Sequence, residues 1–408
     1  MPTDRPIHEV LPAALSRRTL LAAAAASSAS ALLAACGGGG SDEPETATAT
    51  ASSYTDGVIA GFGSVIVGGV RFDDTKATLS TEEGTALAAG ALRLGMTVEI
   101  DSGRVDRAAA SALALRIRLN SELLGPVGAV DTAAGTVVVL GQTVLVTTST
   151  VFDDTLAGGL AALTAGRIVE VYGIPDPANA RIVATRIEAE DAAPAYKLSG
   201  RIASLNTTAR TFAINGQVVN YAGVPTVQVP PGLADGQAVR VRLQTAQVAG
   251  QWVATAMRGG RRWPESIVEA KLEGLITAFA STASFSVNGL PVNASAATFP
   301  DGTTGLGLGA RVEVSGSIVA GVMQATTVEI EERRVTGPRI WDLRGEVGQL
   351  NTTAKTFALR GITVWYGGAV EFRDGTEASL ANGARVRVRG PLAADRTRLE
   401  ATRIDFNV

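Results

Sequence analysis

The sequence predicts an all-β fold of tandem small antiparallel β-barrel-like modules, OB-like or similar, each with five to six short strands. Three observations lead there. The 408 residues include 46 glycines while charged residues are only 18% of the chain, which suits short strands and tight turns better than helical bundles. Apolar and polar residues alternate over short stretches such as Thr211-Phe212-Ala213-Ile214, so one face enters a core. A glycine-marked pattern also recurs along most of the chain.

The pattern opens at Gly125-Pro126-Val127, Gly200-Arg201-Ile202, Gly274-Leu275-Ile276 and Gly345-Glu346-Val347, with spacings of 75, 74 and 71 residues. A second glycine and a valine follow, as Gly141/Val144, Gly216/Val219, Gly289/Val292 and Gly361/Val364. Asn215-Gly216 and Asn288-Gly289 supply the positive backbone dihedrals of a tight hairpin. Each unit then carries Gly-x-x-Val-x-Val, at Gly166, Gly236, Gly309 and Gly383, and closes on a pair such as Ala184/Ile187 or Ala325/Val328. A short helical turn fits before that glycine motif, at Leu160 to Leu163 or Ser379 to Asn382. In Val312-Glu313-Val314-Ser315 and Val386-Arg387-Val388-Arg389 the valines are expected inward and the polar side chains outward.

The N-terminal stretch carries the same ending (Gly95/Val98/Ile100, then Leu115/Ile117) behind a compressed opening from Gly61 to Phe72. The pattern therefore divides the chain into a shortened module at 57–120, then modules at 121–192, 193–264, 265–335 and 336–408, the third being the most divergent. An elongated solenoid is the structural alternative. It is disfavoured because a unit of this size with hairpin signals is expected to form its own core.

Residues 1–35 read as an export signal. Arg17 and Arg18 precede an alanine-rich apolar run that ends at Leu33-Ala34-Ala35-Cys36. Small residues at 34 and 35 fit a peptidase cleft, and the Cys36 thiol can accept a diacylglycerol. This segment resembles a bacterial lipoprotein signal of the lipobox type with a twin-arginine flavour. The expected partner is a membrane, reached through an N-terminal lipid anchor, and the expected place is the periplasmic face or the outer membrane. Residues 36–56, opening on Cys36 and Gly37 to Gly40, read as lipidated cysteine and flexible tether.

Cleavage before Cys36 removes the lone histidine, His8, and commits the lone cysteine to the anchor. That excludes a Ser-His-Asp or Cys-His arrangement, a histidine-built metal site and a disulfide. No catalytic residue, metal site or cofactor is indicated. Aromatic residues are 5% of the chain and acids outnumber bases, 39 to 36, so the basic, aromatic surface of a nucleic-acid binder is not expected.

The repeat resembles the bacterial domain of unknown function 5666, which occurs in tandem in exported proteins and lipoproteins. The resemblance rests on the opening Gly-x-Val, the Phe-x-Val-Asn-Gly turn, Thr298-Phe299 with Asp301-Gly302, the run Gly309 to Gly316, and Ala325 to Ile330. It implies a compact β-domain and export, and no established activity.

Two sets of residues invite a functional reading. Acids recur in the mid-module turn, at Asp73/Asp74, Asp153/Asp154, Asp301 and Asp374, where a carboxylate most simply caps its own turn. The acids Glu188/Glu190/Asp191 and Glu329/Glu331/Glu332, at module ends, are expected to be solvated. Arg261-Arg262-Trp263, then Arg333-Arg334 with Trp341, and Trp365-Tyr366 are candidate binding residues, because Arg and Trp dominate interface hot spots. The competing reading is inter-module packing. The expectation is a non-enzymatic scaffold or binding protein of the cell envelope, with an envelope protein or glycan as partner. An array of envelope polysaccharide-binding modules is the alternative. A carboxylate hydrolase would need two acids about 5–10 Å apart across a sugar, and the sequence shows no such pair.

Overall fold

The computed structural model describes residues 51–406, apart from 89, 157, 332–339 and 395. The export signal, Cys36 and most of the tether lie outside the described residues, as do Arg333 and Arg334. The first module holds β1 (Ser53–Phe62), β2 (Val65–Val67), β3 (Val70–Asp73), β4 (Thr78–Thr81), β5 (Thr97–Ser102) and β6 (Ser111–Leu119). β1 begins inside the stretch read as tether. Ser53 to Asp56 are buried and pair with both β5 and the fourth module, so they are core strand rather than linker.

The second module, β7 (Leu123–Asp131), β8 (Thr136–Val139), β9 (Gln142–Phe152), β10 (Ile168–Asp176) and β11 (Arg181–Glu190), shows the plan most simply. β7, β8 and β9 form an antiparallel meander, β9 pairs parallel with β11, and β11 returns antiparallel through β10 to β7. The ring is closed and OB-like. It is mixed rather than wholly antiparallel, because the last strand returns beside the third in the same direction.

The third module holds β12 (Tyr196–Arg201), β13 (Ala203–Asn206), β14 (Thr211–Ile214), β15 (Gln217–Asn220), β16 (Ala238–Leu243) and β17 (Trp252–Gly259). The fourth, β18 (Ile267–Ser281), β19 (Ser284–Val287), β20 (Leu290–Asn293), β21 (Arg311–Val319) and β22 (Val322–Ile330), closes as the second does. The fifth holds β23 (Trp341–Glu346), β24 (Gly348–Asn351), β25 (Thr356–Leu359), β26 (Ile362–Trp365), β27 (Glu371–Arg373), β28 (Arg385–Gly390), β29 (Arg398–Glu400) and β30 (Arg403–Phe406). In the third and fifth modules the first strand bends, at Ile202 and Val347, and the same pairing order is split between two sheets. Short 3-10 turns at Gly159–Ala162 and Glu377–Ser379 precede the glycine motif.

Two recurring glycines follow from this geometry. Gly95, Gly166, Gly236, Gly309 and Gly383 all have φ between +80° and +85°, a region costly for any side chain. Their amides donate to Ile59, Val127, Ile202, Ile276 and Val347 of the first strand at 2.7–2.9 Å, and those residues donate back to the residue after the glycine. This reciprocal pair closes each barrel. The opening glycine makes room for the hairpin tip: a Cβ at Gly125 would lie 2.6 Å from Leu140 Cγ, and one at Gly200 would overlap Ile214.

The barrels do not keep separate cores. One apolar cluster runs through the first and fifth modules, from Ile59 and Phe72 to Trp341 and Phe406, and another through the second and third. The fourth has its own, with Tyr54 added from β1. First strands carry the joints. β1 pairs parallel with β18 (Ser53 to Asp56 against Glu269 to Leu272) and with β23, while β7 pairs antiparallel with β12. A barrel this small leaves its first strand half covered, and the uncovered half is buried by a neighbour.

Gly309→Ala is expected to lower unfolding free energy by about 1–2 kcal/mol through left-handed strain. Gly307→Ala, in equally open space without a positive φ, should be neutral or stabilising by up to about 1 kcal/mol. Urea unfolding of both variants checks this, and equal losses would contradict it.

Candidate functional site

Where the first strands meet, charged side chains leave water. Asp56 of β1 and Glu122, just ahead of β7, are each 1% exposed. Their cations come from the third module. Arg261 straddles Asp56 at 2.6 and 2.5 Å and reaches Glu122 at 3.4 Å. Arg240 bonds Glu122 at 2.7 Å and Glu82 of the first module at 2.6 Å, and its Nη1 also donates to the Ser121 carbonyl. Arg258 and Lys197 complete the shell of Glu82 at 2.5 and 3.3 Å. Ser199 donates to the second Glu122 oxygen, and Asn288 of the fourth module reaches Asp56 at 3.3 Å. Four modules therefore supply one continuous network.

Its electrostatics follow from burial. Loss of water pushes the Asp56 carboxyl up to about 6, against the pull of Arg261 and Asn288. Burial works against the Arg261 charge, and Asp56 with Glu122 more than offsets it, so the guanidinium is held above its ordinary value. Arg240 and Lys197 are raised in the same way, by Glu122 and Glu82 and by Glu82 and Glu170. On the fourth module, burial lifts Glu313 to about 7 although Lys271 sits 2.8 Å away. Glu313 was expected to face water beside its inward valines; its face is covered by the Gly68 turn of the first module.

Beside the network lies a cleft of about 200 Å³ between the second, third and fourth modules. The β10–β11 turn forms one wall with Pro175, Pro177 and Ile182, and the Asn215 and Asn288 hairpin tips form part of another. Arg240, Arg261 and Glu122 reach it from the network, and Arg181 and Arg201 face it from the second and third modules. Arg181 is held by Asp176 at 2.9 Å. Among the described residues Arg201 donates to the Gly236 carbonyl at 2.8 Å and to no carboxylate.

The sequence-predicted residues fall differently. Arg261 is a buried member of the network, whereas Arg262 is exposed. Trp263 packs on the fourth core, edge-on to Tyr54 at 6.2 Å. Trp341 is 1% exposed and Tyr366 is buried, both in the core shared by the first and fifth modules. Trp365 is half-buried, with the Arg398 guanidinium 5.2 Å from its ring centre and Gly367 packed against the ring. None of these aromatics lines the cleft.

Asp73 and Asp153 cap their turns, each accepting from the amide two residues on, at 3.1 and 2.7 Å. Glu188 was expected to be solvated and is buried instead, because Arg186 bonds it at 2.9 Å while reaching across to the Leu94 carbonyl. With Glu170 and Glu190 it places carboxylate oxygens within 4.8 Å of one another. Tyr172 donates to Glu170, and the charges of Lys197 and Glu170 are coupled, so this cluster continues the junction network.

The model of a family described as Domain of unknown function (DUF5666) matches residues 125–188, 273–329 and 344–405. The three matched segments fall in the second, fourth and fifth modules, which are what the chain has in common with that family. No curated protein matches the sequence. A solved structure described as drosophila Unr CSD456 aligns at 13% identity over 52% of this chain and 97% of its own, with a TM-score of 0.13. That score is too low to support any argument.

Arg261→Ala is expected to cost about 3–5 kcal/mol at pH 8, because it strands Asp56 and Glu122. The Asp56 pKa is raised on folding, so its contribution to stability is full below about pH 4 and lost as pH rises through about 6. The cost of Arg261→Ala should therefore shrink at pH 5, where Asp56 takes up a proton. Denaturant unfolding at both pH values checks this, and a cost that grows toward pH 5 would contradict it.

Proposed function

We propose that the chain is an exported, lipid-anchored protein of the cell envelope that works as a non-enzymatic scaffold or binding protein. One observation carries the reading. The charged groups buried where the first strands meet are engaged with one another across modules, Asp56 with Arg261 and Glu122 and Glu82 with Arg240, which ties the modules together. Catalysis would need such groups free to exchange protons with a substrate. The sequence beyond Cys36 also has no histidine or second cysteine. The signal-like segment through Arg17, Arg18 and Leu33-Ala34-Ala35 supports export, and Cys36 supports anchoring at the periplasmic face or outer membrane.

A second reading, binding of an envelope polysaccharide, is favoured by the inter-module cleft and no longer by the tryptophans. A groove at a junction of rigid modules is a usual place for a ligand.

Cys36→Ala is expected to move the protein from the membrane fraction to the soluble fraction on cell fractionation. Unchanged membrane retention would overturn the anchor.

A further inference from the structure

We propose that the cleft between the second, third and fourth modules binds a hydroxyl-rich monocarboxylate of the uronic acid class, with Arg201 holding the carboxylate. The proposal rests on the reading of the chain as a binding protein and names the ligand chemistry of its cleft.

The charge inventory selects an anion. Three of the four guanidiniums in the lining are already matched: Arg181 by Asp176, Arg240 by Glu82 and Glu122, Arg261 by Asp56 and Glu122. Arg201 is exposed, is bonded to one carbonyl oxygen, and retains donors of its planar fork. A carboxylate matches that fork with two parallel hydrogen bonds. The inventory also limits the charge. Glu122 lies in the same lining and Asp56 directly behind it, so a dianion such as phosphate meets two carboxylates for one uncommitted cation.

The rest of the lining suits a sugar acid better than an aliphatic one. Thr143 offers a hydroxyl from the second module, Asn215 of the third brings its amide oxygen while its Nδ2 donates to Gln142, and Gly289 of the fourth leaves its backbone open to approach. Pro175, Pro177 and Ile182 form an apolar wall on which the C–H face of a pyranose can rest. A space of about 200 Å³ takes a single ring. The divergence of the third module is consistent with this role. It contributes Arg201, Arg240 and Arg261 to the cleft, and it lies outside the three segments that match the domain family.

The test is calorimetric titration of the full chain with D-glucuronate, D-glucose and inorganic phosphate as separate probes. Glucuronate is expected to bind at least tenfold more tightly than glucose, and phosphate to bind more weakly than glucuronate. Arg201→Ala should weaken glucuronate binding about tenfold or more, in line with loss of a charge-assisted pair, with no change in melting temperature. Thr143→Val, which keeps the strand shape, should weaken it several-fold. Absence of glucuronate binding, tighter phosphate binding, or an affinity indifferent to Arg201→Ala would each overturn the proposal. If glucuronate fails while Cys36→Ala still releases the protein from the membrane, the cleft assignment falls and the envelope-protein reading stands.

Discussion

Asp56 and Glu122 cannot be buried alone. A desolvated carboxylate costs several kcal/mol unless a cation and further hydrogen bonds replace its water, and here no single module holds both halves of the arrangement. Asp56 and Glu82 belong to the first module, Glu122 to the second, Arg240, Arg258 and Arg261 to the third, and Asn288 to the fourth. Displacing the third module would leave Asp56, Glu82 and Glu122 of its neighbours without their cations. The network therefore adds more to the uniqueness of the arrangement than to net stability. It penalises every other docking of the modules.

That constraint explains why the repeat is built around its first strand. The strand must accept the closing pair from the left-handed glycine of its own barrel, leave room at a second glycine for its own hairpin tip, and pair outward with another barrel. β1 meets all three demands and so touches β2, β5, β18 and β23. Cores shared between modules and pairing between first strands then follow from the same economy of surface. A barrel of five short strands has too little interior to bury its own apolar residues fully.

Much of the architecture was legible in the sequence because it depends on local geometry. Asn215-Gly216 is a hairpin tip wherever it is placed, and the Gly-x-x-Val-x-Val run specifies a turn and an alternating strand. What surrounds a barrel was not legible. Alternation in Val239-Arg240-Val241-Arg242 says that the arginines leave their own core, but not whether they meet water or another barrel. Arg240 meets two carboxylates from other modules, and Arg242 pairs in register with Lys197 across the strands. Trp263 and Trp341 looked like recognition residues for the same reason, since a tryptophan that covers a junction and one that awaits a ligand have identical sequence context. Glu122, the centre of the site, carries only the faint signal of an acid directly ahead of an apolar first strand.

Whether the modules act as one body is read most directly by differential scanning calorimetry of the full chain. A single transition is predicted, with a calorimetric enthalpy equal to the van't Hoff enthalpy. Several resolved transitions, with the first and third modules melting apart, would contradict the claim that buried charges from different modules hold the structure together.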